Sequence, residues 1–533
     1  MKRIPRNETV WALALGVTLA VTPALAQDAP PAPQTRGPVV DRYVVGQAAP
    51  EVTPGSSILP LTLEQAMDMA LEKNLDLKAA RMNPQGVDYQ LAAARAAFSP
   101  QMTSLYSYRN AASPNNNTLE ARSTVTQIGQ NYNVGMSQTM PWYGGRLTAN
   151  FNNSRSATNS SQAQRNPSFQ SNLQFNYTQP LLAGFRIDQT RNQLRTLSVQ
   201  RQIADIQLLT TIENTKANVR TAYWNLRQAI EQIEIQRRSL TLAQRLFEDN
   251  KTKVEIGTLA PIETTTSETQ VANAEQALLN AQIQWRTAEL NLKRLLAAGP
   301  DDEVYRATIN PVETAARTIQ RVDIPAAVQR AIAERTDLTQ ARRNLEVSRL
   351  NLELTQNSTK PQLDLQAGYN LSGLGGPQFR NGELVEPGGY GQAISTIRGF
   401  DLPTWNLQFN FTYPLFMRAA KANYARAQLQ LQQSMAQIQA QELTVSAQVT
   451  NAGLAVENTY KQYQAAQKAR EVAERNAEAE QTRFDVGMST NYNVVQAQTN
   501  LTTQRLAELR AIISYLNAVA EFDRVQRVGG GGN

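Results

Sequence analysis

The chain has 533 residues, 41% of them hydrophobic and 18% charged, with a formal net charge of +7. It contains no cysteine and no histidine, which excludes disulfides and removes the commonest general base and metal ligand. No acidic pair stands in a catalytic pattern, so the sequence predicts no enzyme, no cofactor and no metal site. Its basic residues are interspersed with acidic ones, which argues against nucleic-acid binding.

The beginning of the chain has the pattern of an export signal. Three basic residues precede an apolar run from Val10 to Val21, and Ala-Leu-Ala at 24–26 provides the small residues of a cleavage site. The alternative, a retained membrane anchor, requires a longer apolar run than this one. We therefore expect a signal peptide over 1–26, followed by a Pro-rich linker over 27–61.

Residues 62–98 are predicted to be helical, with an interruption near Pro84 and Gly86. Alternation of apolar and polar residues then predicts β-strands, each with one apolar face and one face rich in Asn, Gln and Thr. The predicted strands are 101–108, 170–179 and the two arms of a hairpin over 130–155. Such strands fit a half-buried sheet or a transmembrane barrel, and the short turn at 141–145 beside long polar loops favours the barrel.

The longest regular stretch, residues 186–257, contains no proline, and its first glycine is Gly257. Apolar residues occupy every seventh position, at Ile212, Val219, Leu226, Ile233, Leu240, Phe247 and Val254. A seven-residue repeat of this extent predicts a helix that supercoils against partners. At about 1.5 Å per residue it is roughly 100 Å long. A further helix is predicted over 263–296 and a short strand over 304–309.

The second half of the chain repeats the first. A shift of 261 residues sets Asp76-Leu77 on Asp337-Leu338 and Pro100-Gln101 on Pro361-Gln362. The repeat predicts strands at 361–371 and 403–413, a long helix from Arg418 to Gly487, in which Arg470 interrupts the apolar stripe, and a last helix over 491–527. The predicted domains are a first repeat over 62–300, a connecting segment over 301–322, a second repeat over 323–527 and a Gly-rich tail over 528–533.

These strands are too few for one chain to close a barrel. Six candidates are fewer than the eight of the smallest single-chain barrels, and an open sheet edge in lipid leaves backbone groups unpaired at several kcal/mol each. Copies of the chain must therefore join. Closed cyclic symmetry gives a ring of strands on a ring of helices, which is a tunnel lined by the polar strand face.

Several motifs give the chain a resemblance to a known family. The strand ends F-N-[YF]-T-x-P-L stand at 175–181 and 409–415, the turn R-F-D-V-G-M-S-T-N-Y-N at 483–493, and a similar turn K-V-E-I-G-T-L-A-P-I-E at 253–263. With the duplicated order, they make residues 62–527 resemble the TolC family of outer-membrane efflux proteins. The resemblance implies an α+β membrane protein, a homotrimeric outer-membrane β-barrel continuous with a long periplasmic α-helical barrel, built from an internal duplication.

The resemblance also implies a function. The trimer is expected in the outer membrane with a periplasmic extension, as the passive exit duct of a tripartite efflux or type I secretion system. Its implied partners are outer-membrane lipid, a periplasmic adaptor and, through the adaptor, an inner-membrane pump. The alternative is a non-transport surface protein, a coiled-coil stalk or adhesin, which predicts no channel conductance.

The two turns that end the long helices are implied to dock on the adaptor. The docking residues are Gly257, Thr258, Leu259, Gly487, Met488 and Ser489. A left-handed C-cap explains both glycines without a functional role.

Acidic residues narrow the tunnel tip in this family, but the matching positions here are Asn493 and Gln496, so both acids are missing. Glu263 occupies the first-half position that corresponds to Asn493. Glu263, Asn493 and Gln496 are therefore the candidates for a tunnel gate, and three copies of Glu263 would form a cation-attracting ring. The helix dipole alone also favours a glutamate at the start of a helix.

The hairpin over 130–155 departs from the family plan. Four strands per chain continue into helices, giving twelve per trimer, and the hairpin raises this to eighteen if it enters the sheet. Its alternating pattern favours entry, although a wider barrel fits a twelve-helix tunnel less smoothly.

Overall fold

The computed structural model describes residues 48–51, 57–114, 120, 122–313, 321–380 and 383–528. All of them belong to the compact unit of residues 44–533. The predicted signal peptide (1–26), most of the predicted linker (27–61) and residues 529–533 of the tail lie outside the described residues.

Long helices dominate the described chain, together with one large sheet. The helices are α1 (Leu63–Lys73), α2 (Leu75–Ala96), α3 (Gln189–Glu255), α4 (Ile262–Leu296), α5 (Glu303–Arg306), α6 (Ile324–Glu334), α7 (Thr336–Asn357), α8 (Tyr390–Arg398), α9 (Arg418–Asp485) and α10 (Asn491–Arg527). The strands are β1 (Ile58–Leu61), β2 (Gln101–Pro114), β3 (Thr124–Thr139), β4 (Arg146–Thr158), β5 (Ser168–Pro180), β6 (Thr308–Pro311), β7 (Gln362–Gly375), β8 (Gln378–Arg380), β9 (Glu383–Glu386) and β10 (Pro403–Thr412). None of the described helices combines the length and apolarity needed to cross a bilayer.

The internal duplication is confirmed by the lengths of corresponding helices. Helices α1 and α6 both have 11 residues, and α2 and α7 both have 22. The long helices α3 and α9 have 67 and 68 residues, and α4 and α10 that follow them have 35 and 37. Each repeat therefore presents two short helices, strands, one very long helix and a return helix.

The seven-residue stripe faces other helices, as predicted. In α3, Val219, Leu226 and Ile233 are buried, and the stripe residues nearer the two ends of the helix are half-buried. In α9 the five apolar stripe residues are all buried: Val449, Val456, Tyr463, Ala477 and Phe484. Burial is thus concentrated where α3 packs on α4 and α9 packs on α10.

The predicted interruption near Pro84 and Gly86 is wrong. Helix α2 runs through both residues, and the break lies at Asn74, between α1 and α2. The Asn74 side chain accepts a hydrogen bond from the Leu77 amide at 3.0 Å and donates one to the Leu295 carbonyl at 3.1 Å. This capping starts α2 beside the end of α4, so side-chain hydrogen bonding, rather than proline, sets the break.

The connecting segment between the repeats differs in detail from the prediction. The one short strand expected in this segment is present, but its predicted bounds of 304–309 are wrong: a one-turn helix, α5, occupies Glu303–Arg306, and the strand β6 follows at Thr308–Pro311. Strand β6 pairs in parallel with β1, and the Tyr223 hydroxyl of α3 donates a hydrogen bond to the Leu61 carbonyl at 3.0 Å. Burial raises the pKa of Tyr223 to about 12, which keeps this donor protonated.

The six-stranded sheet is antiparallel throughout, in the order β10-β7-β5-β4-β3-β2. The predicted hairpin over 130–155 corresponds to β3 and β4, and it stands inside the sheet between β2 and β5. Its predicted entry into the sheet is confirmed. Strands β2 and β10 form the two edges.

Candidate functional site: a two-faced sheet and two helical tips

The sheet has one apolar and one polar face across all six strands. Residues directly opposite one another in a ladder point to the same side of a sheet. One continuous row is Trp405, Tyr369, Phe175, Ala149, Met136 and Met102, and the adjacent row is Asn406, Gly368, Asn176, Thr148, Ser137 and Gln101. The apolar row is open to the surroundings, since Trp405 is 75% exposed and Met102 is 76% exposed. A face of this kind suits a lipid environment.

The two ends of the sheet differ. The turn between β3 and β4 packs on the start of α3, where the Tyr143 ring stacks on the Phe185 ring with centroids 4.7 Å apart. The Tyr143 carbonyl also accepts a hydrogen bond from Gln179 Nε2 at 2.7 Å. Because β5 and β10 lead into α3 and α9 at this same end, the long loops and α8 lie at the opposite end.

At the other extreme of the helical part, both long helices end in the same capping motif. Gly257 and Gly487 have φ values of +77° and +80°. After α3, the Thr258 amide donates to the Lys253 carbonyl at 2.9 Å, and the Gly257 amide donates to the Val254 carbonyl at 3.0 Å. The amides of Met488 and Gly487 make the corresponding bonds to the Arg483 and Phe484 carbonyls, at 2.7 and 3.1 Å. These pairs of bonds define Schellman caps.

The capped turns expose apolar side chains to the surroundings. Ile256 and Ile262 flank the first turn, and Val486, Met488 and Tyr492 flank the second, each between 66% and 79% exposed. Of the other predicted docking residues, Thr258 is exposed, and Leu259 and Ser489 are half-buried. The tips therefore present two adjacent apolar patches on rigidly capped turns, which is a surface suited to a protein partner.

A chain of side-chain hydrogen bonds joins three helices just above these turns. Asn250 of α3 donates from Nδ2 to Asn491 Oδ1 at 2.9 Å, and Asn491 of α10 donates from Nδ2 to Glu263 Oε2 of α4 at 2.9 Å. Asn250 and Asn491 are buried, and Glu263 is half-buried. Sequence analysis missed both asparagines. The available signal was a polar residue one turn after the apolar Leu246, on the packing face of α3.

The other two gate candidates, Asn493 and Gln496, do not take part in these hydrogen bonds between helices. Asn493 and Gln496 are exposed on α10, and Asn493 Nδ2 donates to Ser489 Oγ at 3.4 Å. Ser489 Oγ in turn donates to Glu480 Oε2 at 2.7 Å. This bond, aided by Arg483, lowers the pKa of Glu480. The second turn thus has the carboxylate of Glu480 on α9, rather than acids at Asn493 and Gln496, the two positions where the family resemblance predicts them.

The polar interruption of the α9 stripe is an ion-pair network. Arg470 contacts Glu474 at 2.7 Å and Glu508 of α10 at 2.9 Å, and Arg505 of α10 contacts Glu474 at 3.0 Å. Burial lowers the pKa of Arg470, but attraction to Glu508 and Glu474 outweighs it, so the pKa is raised. The network fixes the register of α9 against α10.

Two repeats of long helices joined to a sheet with one apolar and one polar face are the architecture of outer-membrane channels. The sequence profile of the family described as "Outer membrane efflux protein" matches residues 146–298 and 327–525. The chain belongs to this family, which is one of efflux channels and not of enzymes. Membership places the protein in the outer membrane, with its helical part extending into the periplasm.

Solved structures share the fold at low sequence identity. The outer membrane channel CmeC of Campylobacter jejuni has a TM-score of 0.62 at 18% identity, covering 87% of this chain and 85% of CmeC. CusC has a TM-score of 0.64 at 15% identity, covering 94% and 99%. VceC of Vibrio cholerae has a TM-score of 0.62 at 13% identity, covering 87% and 95%. Among curated proteins, no sequence matches the chain.

Proposed function

We propose that three copies of this chain close into one continuous tunnel, which serves as the passive exit duct of a tripartite efflux or type I secretion system. The observation that carries the proposal is the sheet, which has an apolar face fit for lipid, a polar face fit for a lumen, and two edges left to pair. Six strands from each of three copies make an eighteen-stranded barrel, of the size that leaves an aqueous channel.

The packing of the short helices supports a neighbouring copy as the missing partner. Helix α7 packs between α3 and α9, whereas its counterpart α2 packs extensively, among the described elements, only on α3. The remaining surface of α2 exposes Met82 and Tyr89, and the facing part of α9 exposes Leu429 and Leu443. Within the chain, α7 of the second repeat packs on α3 of the first repeat. By the same rule, α2 of a second copy would pack on α9 of this copy. Repeating the step closes a ring.

The same rule gives the register of the strands between copies. Within the chain, Phe175 of β5 lies opposite Tyr369 of β7. The duplicated motifs align Phe175 with Phe409 of β10, and the shift of 261 aligns Tyr369 with Tyr108 of β2. Phe409 is therefore expected opposite Tyr108 of the neighbouring copy, and both side chains belong to the apolar face. A register shifted by one residue would put one of them on the polar face.

The helical tips are proposed to dock on a periplasmic adaptor that couples the duct to an inner-membrane pump, so the energy comes from the pump. The exposed apolar patches around Gly257, Thr258, Leu259, Gly487, Met488 and Ser489 support this assignment. Glu263 is proposed as the charged element of the tunnel gate. Asn493 and Gln496 would contribute neutral polar groups at the second turn, so cation binding there would be weak.

Planar-bilayer recording of the purified protein tests the proposal. Stable conductance steps are expected, and their size should exceed that of a comparable channel with four strands per chain. A protein that inserts into bilayers without conducting would instead be a structural stalk or adhesin, and the proposal would be abandoned.

A further inference from the structure

Helix α8 lies directly on the apolar face of the sheet, at the end away from the long helices. A Cβ atom added to Gly373 of β7 would lie 1.9 Å from the Ala393 carbonyl oxygen, and one added to Gly375 would lie 2.2 Å from the Gly389 carbonyl oxygen. Ala393 of the helix is fully buried and Ile397 nearly so. The two glycines therefore let the helix backbone rest against the strand, which fixes α8 on this face.

A cavity of about 300 Å³ opens between α8 and the sheet, lined by Tyr132, Asn153, Ser154, Arg155, Phe169 and Tyr390. Its wall is held by specific contacts. The Tyr390 hydroxyl donates to Asn153 Oδ1 at 2.8 Å, and the Tyr390 ring meets the Phe169 ring edge to face, with centroids 6.2 Å apart. Asn153 Nδ2 donates to the Tyr132 carbonyl at 3.2 Å. The cavity is thus a notch lined by aromatic side chains, which hydrogen bonds and ring contacts hold in place.

One cationic group belongs to this notch. Arg155 lies opposite Phe169 in the β4–β5 ladder, so its side chain belongs to the apolar face. In the described part of the chain no carboxylate lies within salt-bridge distance of its guanidinium, whereas nearby Arg165 contacts Glu386 at 3.9 Å. An arginine on an apolar face, beside three aromatic rings and with no acidic partner among the described residues, is arranged to receive an external anion.

We infer that the notch under α8 binds a phosphorylated lipid of the outer leaflet, one per chain. The inference rests on the proposed function, because it requires the apolar face to contact lipid. In that orientation the notch is continuous with the lipid-facing surface and lies at headgroup depth, where tyrosines are favoured. Arg155 holds the phosphate, while Tyr132, Phe169 and Tyr390 pack against the apolar part of the same lipid. The exposed Phe400 and Leu402 after α8 extend the apolar surface.

Native mass spectrometry of the delipidated protein, with added lipid A or phosphatidylethanolamine, tests the inference. We expect lipid A to be retained at up to one molecule per chain, and Arg155→Gln to weaken its binding about tenfold. The matched control is Arg109→Gln. Arg109 is paired with Gly129, and Gly129 with Ser156, so it lies at nearly the same height on the polar face. The control should leave binding unchanged.

A second variant tests the part played by the helix. Gly373→Val should displace α8 and abolish lipid A retention, although this variant keeps Arg155. Equal retention by Arg155→Gln and wild type, or inorganic phosphate that competes as effectively as lipid A itself, would overturn the inference. Conductance is recorded on the same preparations. A conducting wild type without lipid A preference refutes the lipid site alone, whereas a non-conducting wild type refutes the proposed function.

Discussion

Asn491 donates a hydrogen bond from Nδ2 to Oε2 of Glu263, at 2.9 Å, and so joins the first turn of α10 to the first turn of α4. These two turns belong to different repeats, and both follow the capped ends of the long helices. The acceptor is a half-buried carboxylate, which makes the bond charge-assisted and stronger than a bond between neutral groups. A single acidic side chain therefore ties the two repeats together at the tip.

The charge of Glu263 is expected to attract cations to the tunnel. Glu263→Gln removes the charge from each copy but keeps a hydrogen-bond acceptor for Asn491, so the fold of the tip is retained. Cation preference, measured as the reversal potential in a salt gradient across a planar bilayer, should fall. Asn493→Gln, a neutral change at the corresponding position of the other repeat, is the control and should leave the potential unchanged. Unaltered reversal potentials in Glu263→Gln would remove the gate assignment.

The backbone conformation at Gly257 and Gly487 sets the stability of the tip turns. Among the described residues, no atom beyond the two chain neighbours lies within 4 Å of a Cβ built at either glycine, so a substitution there is opposed by backbone conformation alone. Alanine at either position is expected to cost about 1 kcal/mol. Asparagine, which tolerates positive φ, should cost less, and valine more. Hydrogen exchange of the turn amides should therefore be accelerated least by asparagine, more by alanine and most by valine. An equal effect of asparagine and valine would contradict the conformational explanation.

The Ser489–Glu480 hydrogen bond gives the second turn a pH dependence. Since the bond lowers the pKa of Glu480 in the folded state, its stabilising contribution is present above the ordinary glutamate pKa and is lost as pH falls through the folded value. Ser489→Ala should therefore increase turn opening at neutral pH, and the difference from wild type should vanish in acid. Comparing amide exchange of both proteins at each pH cancels the intrinsic exchange rates. A difference that persists below the carboxylate range would rule out this bond as its cause.

The Arg470 network should behave as a coupled unit. Arg470→Leu restores the apolar stripe of α9 but leaves the nearly buried Glu508 without its arginine, at an expected cost of about 3 kcal/mol. Glu508→Leu added to the same chain should recover much of the loss, because no uncompensated charge then remains between α9 and α10. Thermal unfolding of the two single variants and the double variant gives the coupling energy. Additive losses would show that the pair does not interact.

Sequence periodicity predicted the elements whose cause is local or repetitive. The extents of α3, α4, α9 and α10 follow from the apolar repeat and from the glycines that cap the long helices. Entry of the hairpin into the sheet follows from strict alternation, since a strand with one apolar face needs a neighbour of the same kind.

The remaining features depend on contacts between distant residues. The break at Asn74 depends on the Leu295 carbonyl, far along the chain. The position of α8 depends on Gly373 and Gly375 of β7, which let the helix backbone approach the strand. The bond between Asn491 and Glu263 joins residues 228 positions apart. The sequence shows that Arg470 interrupts the apolar stripe, but only the packing of α9 on α10 reveals its ion pairs with Glu474 and Glu508. No local pattern carries this information.

Oxidative cross-linking of Phe409→Cys with Tyr108→Cys in one chain tests most directly whether three copies close a single ring. The natural chain has no cysteine, so every disulfide formed reports this contact. We expect a covalent trimer, because opposite residues in a ladder are within disulfide reach. Phe409→Cys with Tyr106→Cys, displaced by two residues along β2, should link poorly. Chains that remain monomeric, that form covalent oligomers larger than a trimer, or that link better in the displaced pair would contradict a closed ring of three copies.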